Sequence, residues 1–315
     1  MRSRLFPTLA LITALLTVGL IVIGAVVRVS DSGLGCGDSW PLCNGTIFPP
    51  LSNITAWIEW THRLVALLIG LFGLAMLVIA IRDFRSKKSQ GGLVLIATII
   101  AALLYSVQDG LGRAVVLNEL NPVLVTVHLG TAMLLLGGLV VAAVASAYVA
   151  KQHYSRDSFT ALAYVTTLLS FVIILTGALV RGSGATLACA SWPLCNGSIF
   201  PADQGTLPMV SMMHRFAVVA LGVALVLLVW MAWTRRRGES RIRLLAGLAL
   251  VAYLCQAVIG AGVVFSGALP IWEAGHVLFA ALTWALLIYL SVIESVNTAE
   301  RMEGEWRPQS EALQN

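Results

Sequence analysis

The sequence predicts an all-α integral membrane protein whose eight transmembrane helices form two parallel-repeat four-helix bundles. Hydrophobic residues make up 58% of the 315-residue chain, charged residues only 11%, and the mean hydropathy is +0.89. A soluble core of this size cannot bury so much apolar surface. The apolar residues are grouped in stretches of about 20, the length that crosses a hydrocarbon core roughly 30 Å thick. We therefore expect a multi-pass protein of the cell membrane.

Eight apolar stretches follow one another along the chain. They cover roughly residues 8–28, 59–81, 92–113, 122–149, 159–180, 209–233, 243–265 and 271–295. The first stretch is long enough to span the membrane and lacks a convincing signal-peptide cleavage site, so we expect it to remain as the first helix. Residues 297–315 are polar and acidic and contain a proline, which predicts a disordered cytoplasmic tail.

The positions of the positive charges predict the orientation of the helices. Lysines and arginines cluster before the first span and after the second, fourth and sixth: Arg2, Arg4, Arg82, Arg85, Lys87, Lys88, Lys151, Arg156, Arg235, Arg236, Arg237, Arg241 and Arg243. All of them lie on one side if the N-terminus is cytoplasmic, as the positive-inside rule requires. The net charge of +5 then reflects membrane topology, and we expect no nucleic-acid partner.

Two nearly identical segments reveal an internal repeat. The segment "CGDSWPLCNGTIFP" begins at Cys36, and "CASWPLCNGSIFP" begins at Cys189. The match continues outward, since His62 aligns with His214 at an offset of 152. Each unit has an even number of spans, so both copies enter the membrane with the same orientation. The predicted units are residues 1–150 and 151–296.

The repeated loops place two cysteine pairs on one side of the membrane. This side is extracytoplasmic and therefore oxidising, so Cys36 with Cys43 and Cys189 with Cys195 can form disulfides. Proline and glycine residues nearby predict a folded loop rather than a free linker. Cys255 lies inside the seventh span, where we expect it to serve in packing.

Four of the five histidines follow the repeat. His62, His128, His214 and His276 each lie near the start of an even-numbered span, and hence at similar depth in the outer leaflet. A lone histidine in a membrane helix usually makes a helix–helix hydrogen bond. Two matched histidines in each four-helix unit instead favour a haem held by two axial imidazoles, because a closed zinc site requires four ligands. We expect His153 to be solvated in a cytoplasmic loop.

Arginines are the positively charged residues on the predicted extracytoplasmic side. They are Arg28, Arg63, Arg113, Arg181 and Arg215. A guanidinium group binds a carboxylate through two parallel hydrogen bonds and stays charged when partly buried. These arginines are therefore candidates for binding haem propionates, and the alternative is snorkelling of single side chains at the helix ends.

Carboxylates break the symmetry of the repeat. Glu59 lies one helical turn before the first histidine of the first unit, whereas the matching residue of the second unit is Ser211. Glu273 lies one turn before the last histidine of the second unit, and its counterpart is Val125. A carboxyl group near a site within the membrane is costly to ionise and is a functional candidate. The spacing alone leaves open which glutamate acts.

The segments "GCGDSWPLCNG", "EWTHR", "VHLG", "SWPLCNG", "MHR" and "GH" together resemble the haem A synthase family. The resemblance extends from about Thr17 to Tyr289. It implies an enzyme that oxidises the C8 methyl group of haem O to the formyl group of haem A, the prosthetic group of terminal oxidases. It also implies a haem B cofactor in the C-terminal half and the substrate haem in the N-terminal half.

The resemblance implies a role for each residue that matches the family pattern. His62 and His128 would flank the iron of haem O, and His214 and His276 would ligate the iron of haem B. Glu59 would be the catalytic carboxylate. Cys36 and Cys43 would form the functional disulfide, and the role of the pair Cys189 and Cys195 stays open between stabilising a loop and passing electrons. The expected partners are a haem O synthase, an electron-transfer partner, membrane lipid and a second copy of the chain.

Three other classes of protein account for part of the pattern. A disulfide–quinone oxidoreductase would explain the cysteine pairs but not the four matched histidines. A di-haem b-type electron carrier would explain the histidines but gives no reason for Glu59 or for the unequal halves. A transporter is also built from duplicated helical units, although its substrate site usually lies at the membrane midplane.

Overall fold

The computed structural model describes residues 5–87, 91–150 and 154–305, with side chains described as far as residue 298. Within these residues the chain forms eight long helices: α1 (Leu5–Val29), α2 (Ile54–Arg85), α3 (Gly91–Leu117), α4 (Pro122–Ala147), α5 (Ser158–Gly182), α6 (Thr206–Arg235), α7 (Ser240–Phe265) and α8 (Pro270–Glu305). Each is long and apolar enough to cross a membrane, which confirms the eight predicted spans. Short 3₁₀ helices at Ala185–Leu187 and Ala202–Gln204 lie between α5 and α6.

Part of the predicted cytoplasmic charge falls beyond this range. Arg2, Arg4, Lys88, Lys151 and His153 lie outside the described residues. The cytoplasmic position of both termini stays a prediction.

Helix boundaries follow from local capping. The Asn53 side chain accepts a hydrogen bond from the N–H of Ala56 at 3.1 Å, so α2 begins at Ile54 rather than near residue 59. At α4, the Asn121 side chain caps a helix that starts with a proline, and at α5 Asp157 forms a capping box with the third helical residue. Such caps satisfy N–H groups that the first helical turn cannot pair internally.

The last helix is longer than the sequence predicts. α8 continues to Glu305, so the position at which the sequence predicts the tail to start, residue 297, still belongs to the helix. Residues 306–315 lie outside the described residues. Asn297 and Thr298 are buried, and the Tyr148 hydroxyl donates to Asn297 Oδ1 at 2.9 Å. Polar composition indicated solvent here, whereas the polar groups are paired inside the protein.

The helix contacts of the first unit recur in the second. α1 packs on α2 and α4, and α3 packs on the same two helices; α5 and α7 pack likewise on α6 and α8. The units meet where α4 contacts α8, with further contacts from α1 to α8 and from α4 to α5. α4 and α8 are consequently the most buried of the eight described helices. Trp284 of α8 donates through Nε1 to the main-chain oxygen of Met133 on α4 at 2.7 Å.

Candidate functional site: two matched histidine pairs under cysteine loops

Each unit carries a cysteine loop between its first two helices. The Sγ atoms of Cys36 and Cys43 are bonded at 2.06 Å, and those of Cys189 and Cys195 at 2.01 Å. These are the two pairs that the sequence predicts, and all four cysteines are buried. Cys255 on α7 is partly buried and lies outside any disulfide. The disulfides fold each loop back over the start of the following helix.

One arginine in each unit clamps its loop. Nη1 of Arg63 donates to the main-chain oxygens of Ser39, Pro41 and Leu42 at 3.0, 3.4 and 2.9 Å. Arg215 makes the same three bonds to the second loop at 2.8–3.0 Å. The sequence predicts propionate binding for both arginines, but the structure assigns Nη1 of each to the loop.

Glu59 is held between the first loop and Arg63. Its Oε2 accepts a hydrogen bond from the main-chain N–H of Cys36 at 2.9 Å, and its Oε1 accepts one from Nη2 of Arg63. Glu59 is only 4% exposed, and a carboxylate so buried requires partners of this kind. In the second unit Ser211 takes its place, and Nη2 of Arg215 is buried with no hydrogen-bond partner.

Glu273 has a different environment. Its Oε1 lies 3.3 Å from Nη1 of Arg181, which is 40% exposed. Arg28 of α1 also acts electrostatically on this carboxyl group, so charges from both units influence Glu273. Arg28 and Arg113 make no side-chain hydrogen bond or ion pair within the part of the chain that the structure describes.

Each predicted ligand histidine packs against a glycine of the preceding odd-numbered helix. The pairs are Gly24 with His62, Gly112 with His128, Gly177 with His214, and Gly260 with His276. A β-carbon at these glycines would lie 3.0–3.4 Å from the imidazole ring, closer than ordinary van der Waals contact. The two histidines of each unit are also near enough to interact electrostatically. The structure therefore brings the predicted pairs together.

In the second unit, hydrogen bonds engage Nδ1 of both histidines. The Thr176 hydroxyl donates its single proton to the main-chain oxygen of Ile173 and lies 2.9 Å from Nδ1 of His214. With its proton on the Ile173 oxygen, the hydroxyl is placed to accept a bond from Nδ1–H. Nδ1 of His276 lies 3.0 Å from the main-chain oxygen of Gln256, which can only accept. The ring of His276 thus carries its proton on Nδ1, and both rings leave Nε2 without a hydrogen bond among the described residues.

The first unit lacks these bonds. Upstream of the cysteine loops Arg28 aligns with Arg181 at an offset of 153, and at this offset Ile23 occupies the position of Thr176 (176 − 153 = 23). His62 makes no side-chain hydrogen bond among the described residues. Nε2 of His128 lies 3.1 Å from Nε2 of Gln108. Nδ1 of His128 and Oε1 of Gln108 are both buried without a partner. The first-unit imidazoles are therefore held less firmly than those of the second unit.

The donor set fits two haems rather than bare metal ions. In the described part of the chain, no group of three or more histidine, cysteine, aspartate or glutamate side chains could hold a metal ion. A haem needs only two axial imidazoles from the protein. In the second unit, Nδ1–H bonded to oxygen and Nε2 left open is the usual state of a ligating histidine. The glycine at each imidazole ring, and the unpartnered Nδ1 of His128 and Oε1 of Gln108, are also consistent with haem ligation.

The spacing of residues along the sequence predicts no role for Thr176 or Gln108. The internal repeat draws attention to both positions, since aligning the two units pairs Thr176 with Ile23 and Gln108 with Gln256. Their contacts with the imidazoles depend on side-chain conformation, which the spacing does not determine.

The sequence does not predict the buried charged cluster at the far end of α6. It identifies Arg236 only as one of the positive charges that indicate the orientation of the helices. Arg236 is 6% exposed. Its Nη2 lies 2.8 Å from Oδ1 of Asp157 and 2.5 Å from Oε1 of Glu294. Its guanidinium group lies over the Tyr154 ring, 4.2 Å from the centroid. Burial opposes ionisation of Asp157, but the hydrogen bonds and positive charge of Arg236, together with the main-chain N–H groups of Thr160 and Phe159, outweigh this effect and lower its pKa. Burial raises the pKa of Tyr154.

Known proteins resemble this chain over most of its length. Residues 7–288 match the cytochrome oxidase assembly protein family. The chain is 34% identical to the haem A synthase of Symbiobacterium thermophilum over 251 residues, covering 77% of this chain and 79% of the relative. It is 31% identical to the haem A synthase of Shouchella clausii over 300 residues, covering 93% and 98%. It is 30% identical to that of Halalkalibacterium halodurans over 307 residues, covering 93% and 99%. With this extent of similarity, the chain belongs to the haem A synthase family.

Proposed function

We propose that this chain oxidises the C8 methyl group of haem O to a formyl group, giving haem A for terminal oxidases. The relatives are named haem A synthases, and the family is one of cytochrome oxidase assembly proteins. The observation that carries the proposal is a pair of matched histidine sites of which only the first has a buried carboxylate, Glu59. An electron carrier needs no such carboxylate, and a disulfide–quinone oxidoreductase needs no such histidines.

The two units have different tasks in this proposal. Residues 1–150 hold the substrate haem O between His62 and His128, and residues 151–296 hold haem B between His214 and His276. The firmer hydrogen bonding of the second-unit imidazoles supports this division, because a cofactor is retained whereas a substrate must leave. Haem B, when bound, supplies the one-electron chemistry that side chains cannot provide.

Glu59 is the proton acceptor of the first unit. Oxidation of a methyl group to a formyl group, with water supplying the oxygen atom and an acceptor taking the electrons, breaks C–H and O–H bonds and releases protons, and a buried carboxylate beside the substrate can take protons up. Arg63 and the N–H of Cys36 hold the carboxylate in place and stabilise its charge. Glu273 is the weaker candidate, because it lies in the second unit and is paired with a partly exposed arginine.

Propionate binding is assigned first to Arg28 and Arg113, whose guanidinium groups have no hydrogen-bond partner among the described residues. Nη2 of Arg215 is a third candidate, since it is buried and unpartnered. Arg181 shares its charge with Glu273, and Arg63 with Glu59 and the loop. The last two arginines would therefore bind a propionate less readily.

The eight apolar helices and the family place the chain in the membrane as a multi-pass protein. We propose that the cysteine loops lie on the extracytoplasmic side, opposite the clustered lysines and arginines. A haem O synthase, an electron-transfer partner and a second copy of the chain are the proposed protein partners. The first would supply the substrate, and the second would accept the electrons that the oxidation releases.

The proposal is tested by producing the chain in a bacterial host that makes haem O but has no haem A synthase. Chromatography of the extracted haems should then show haem A, which is absent from the same host carrying an empty vector. Haem B at two per purified chain, without haem O or haem A, would instead support an electron carrier. A purified chain that contains no haem would contradict both functions.

A further inference from the structure

Gln108 and Gln256 occupy matched positions in the two units but act on their histidines in different ways. Each precedes the second histidine of its unit by 20 residues (128 − 108 and 276 − 256). In the second unit, the main-chain oxygen of Gln256 binds Nδ1 of His276. In the first unit, the side chain of Gln108 binds Nε2 of His128. The matched glutamines thus engage opposite nitrogens of the ring.

The engaged nitrogen decides whether the ring can ligate iron. Nε2 is the nitrogen that both second-unit histidines leave open. A neutral imidazole has only one lone pair or one proton at Nε2, so this atom cannot bind an amide and an iron at the same time. This holds for either orientation of the Gln108 amide. Nδ1 of His128 is meanwhile buried without a partner.

We propose that Gln108 competes with the substrate iron for Nε2 of His128 and thereby makes ligation in the first unit reversible. The inference rests on the proposed function, which assigns haem O to that unit. When the iron leaves, the amide returns to Nε2, and the buried ring is not left with both nitrogens unpaired. Because an unpaired buried polar group is costly, this exchange favours release of the product. Among the described residues of the second unit, no side chain bonds to Nε2 of either histidine, which suits a retained cofactor.

The magnitude follows from the size of one hydrogen bond. The net free energy that one hydrogen bond typically contributes corresponds to a change of roughly two- to twelvefold in an equilibrium constant. Gln108→Leu removes the competitor, so the dissociation constant for ferric haem O should fall by about this factor. A purely structural Gln108, which only orients the ring, predicts the opposite sign, because a loosened imidazole binds iron more weakly.

The experiment is an absorbance titration of the purified full-length protein, carrying its haem B, with ferric haem O and no reductant. Gln256→Leu is the matched control, because the bond to His276 comes from the main chain and should leave the haem O affinity unchanged. Gln108→Glu is a second variant, since a charged acceptor holds Nε2–H more strongly and should weaken haem O binding. The haem B content of each variant reports whether it has folded.

Tighter binding by Gln108→Leu together with weaker binding by Gln108→Glu supports the inference. Unchanged or weaker binding by Gln108→Leu overturns it, while the proposed function stands as long as the unaltered protein binds haem O. If the unaltered protein binds no haem O, the proposed function fails as well.

Discussion

The main-chain N–H of Cys36 donates a hydrogen bond to Oε2 of Glu59 at 2.9 Å. Arg63 completes the arrangement by binding the other carboxylate oxygen and three carbonyl oxygens of the same loop. The carboxylate, the arginine and the disulfide loop of the first unit therefore hold one another in place. In the second unit the loop and Arg215 are retained, but Ser211 cannot make the link.

Glu59→Gln should reduce haem A formation by about 100-fold or more, because the amide keeps the shape and the bond from Cys36 but cannot take up a proton. Haem O should accumulate in the membranes, and the haem B spectrum should stay unchanged. Chromatography of extracted haems measures both. Ser211→Ala is the matched control and should retain haem A formation. Wild-type yields from Glu59→Gln would disprove the assignment of the proton acceptor.

The two disulfides should have separable effects. Replacing Cys36 and Cys43 by serine loosens the loop that donates to Glu59, so haem A formation should fall while the haem B content is preserved. Replacing Cys189 and Cys195 by serine should mainly lower the haem B content, because that loop covers the second unit. Pyridine spectra and haem A yields from both double variants distinguish the cases. Equal losses of haem A and haem B in both variants would contradict this division.

Thr176→Ile gives the second unit the residue that the first unit carries at Ile23. Loss of the bond to Nδ1 of His214 should weaken haem B binding by roughly 10- to 100-fold, the usual effect of removing such a partner. The midpoint potential of haem B should also rise, because the unbonded imidazole is a weaker electron donor. Thr176→Ser keeps the hydroxyl and should restore both properties. An unaltered potential in Thr176→Ile would contradict the proposed positioning role.

The sequence was sufficient to predict the eight apolar helices and the two cysteine pairs, whereas the division into two haem-binding units and the ligand roles of the histidines stay predictions. Eight spans, two units and matched histidines follow from hydropathy and spacing, because helix length and loop parity constrain them strongly. The contacts of Thr176 and Gln108 depend on which imidazole nitrogen faces which side chain, and spacing has no information about this. Arg236 shows a second limit, since a positive charge at a helix end indicates topology whether it is solvated or buried.

Arg236 should be required for stability through its two carboxylate partners. Arg236→Met leaves the fully buried Glu294 with the hydroxyl donors Tyr154 and Thr160 but without its positively charged partner, which should cost about 3–5 kcal/mol of unfolding free energy. Combining it with Glu294→Met should recover most of this loss, because no uncompensated charge then remains. Denaturation of the purified variants in detergent measures the effect. Additive losses in the double variant would contradict the ion-pair explanation.

The same cluster predicts a dependence of stability on acid pH. The pKa of Asp157 is lower in the folded protein than its ordinary value of 3.8. Its ionised form therefore stabilises the fold above about pH 4, and this contribution is lost as the pH falls through the lower folded-state pKa. Thermal unfolding in detergent between pH 3 and pH 6 should show this loss, and Asp157→Asn should remove it. An unchanged profile in Asp157→Asn would assign the acid sensitivity to other groups.

The division of labour between the units is tested most directly by counting each haem in two matched histidine variants. The proteins are His62→Leu and His214→Leu, purified from cells that make haem O, and the haems are extracted and quantified per chain. His62→Leu should retain haem B and lose haem O and haem A, whereas His214→Leu should lose haem B and still bind haem O. Loss of haem B from His62→Leu with its retention in His214→Leu would contradict the account.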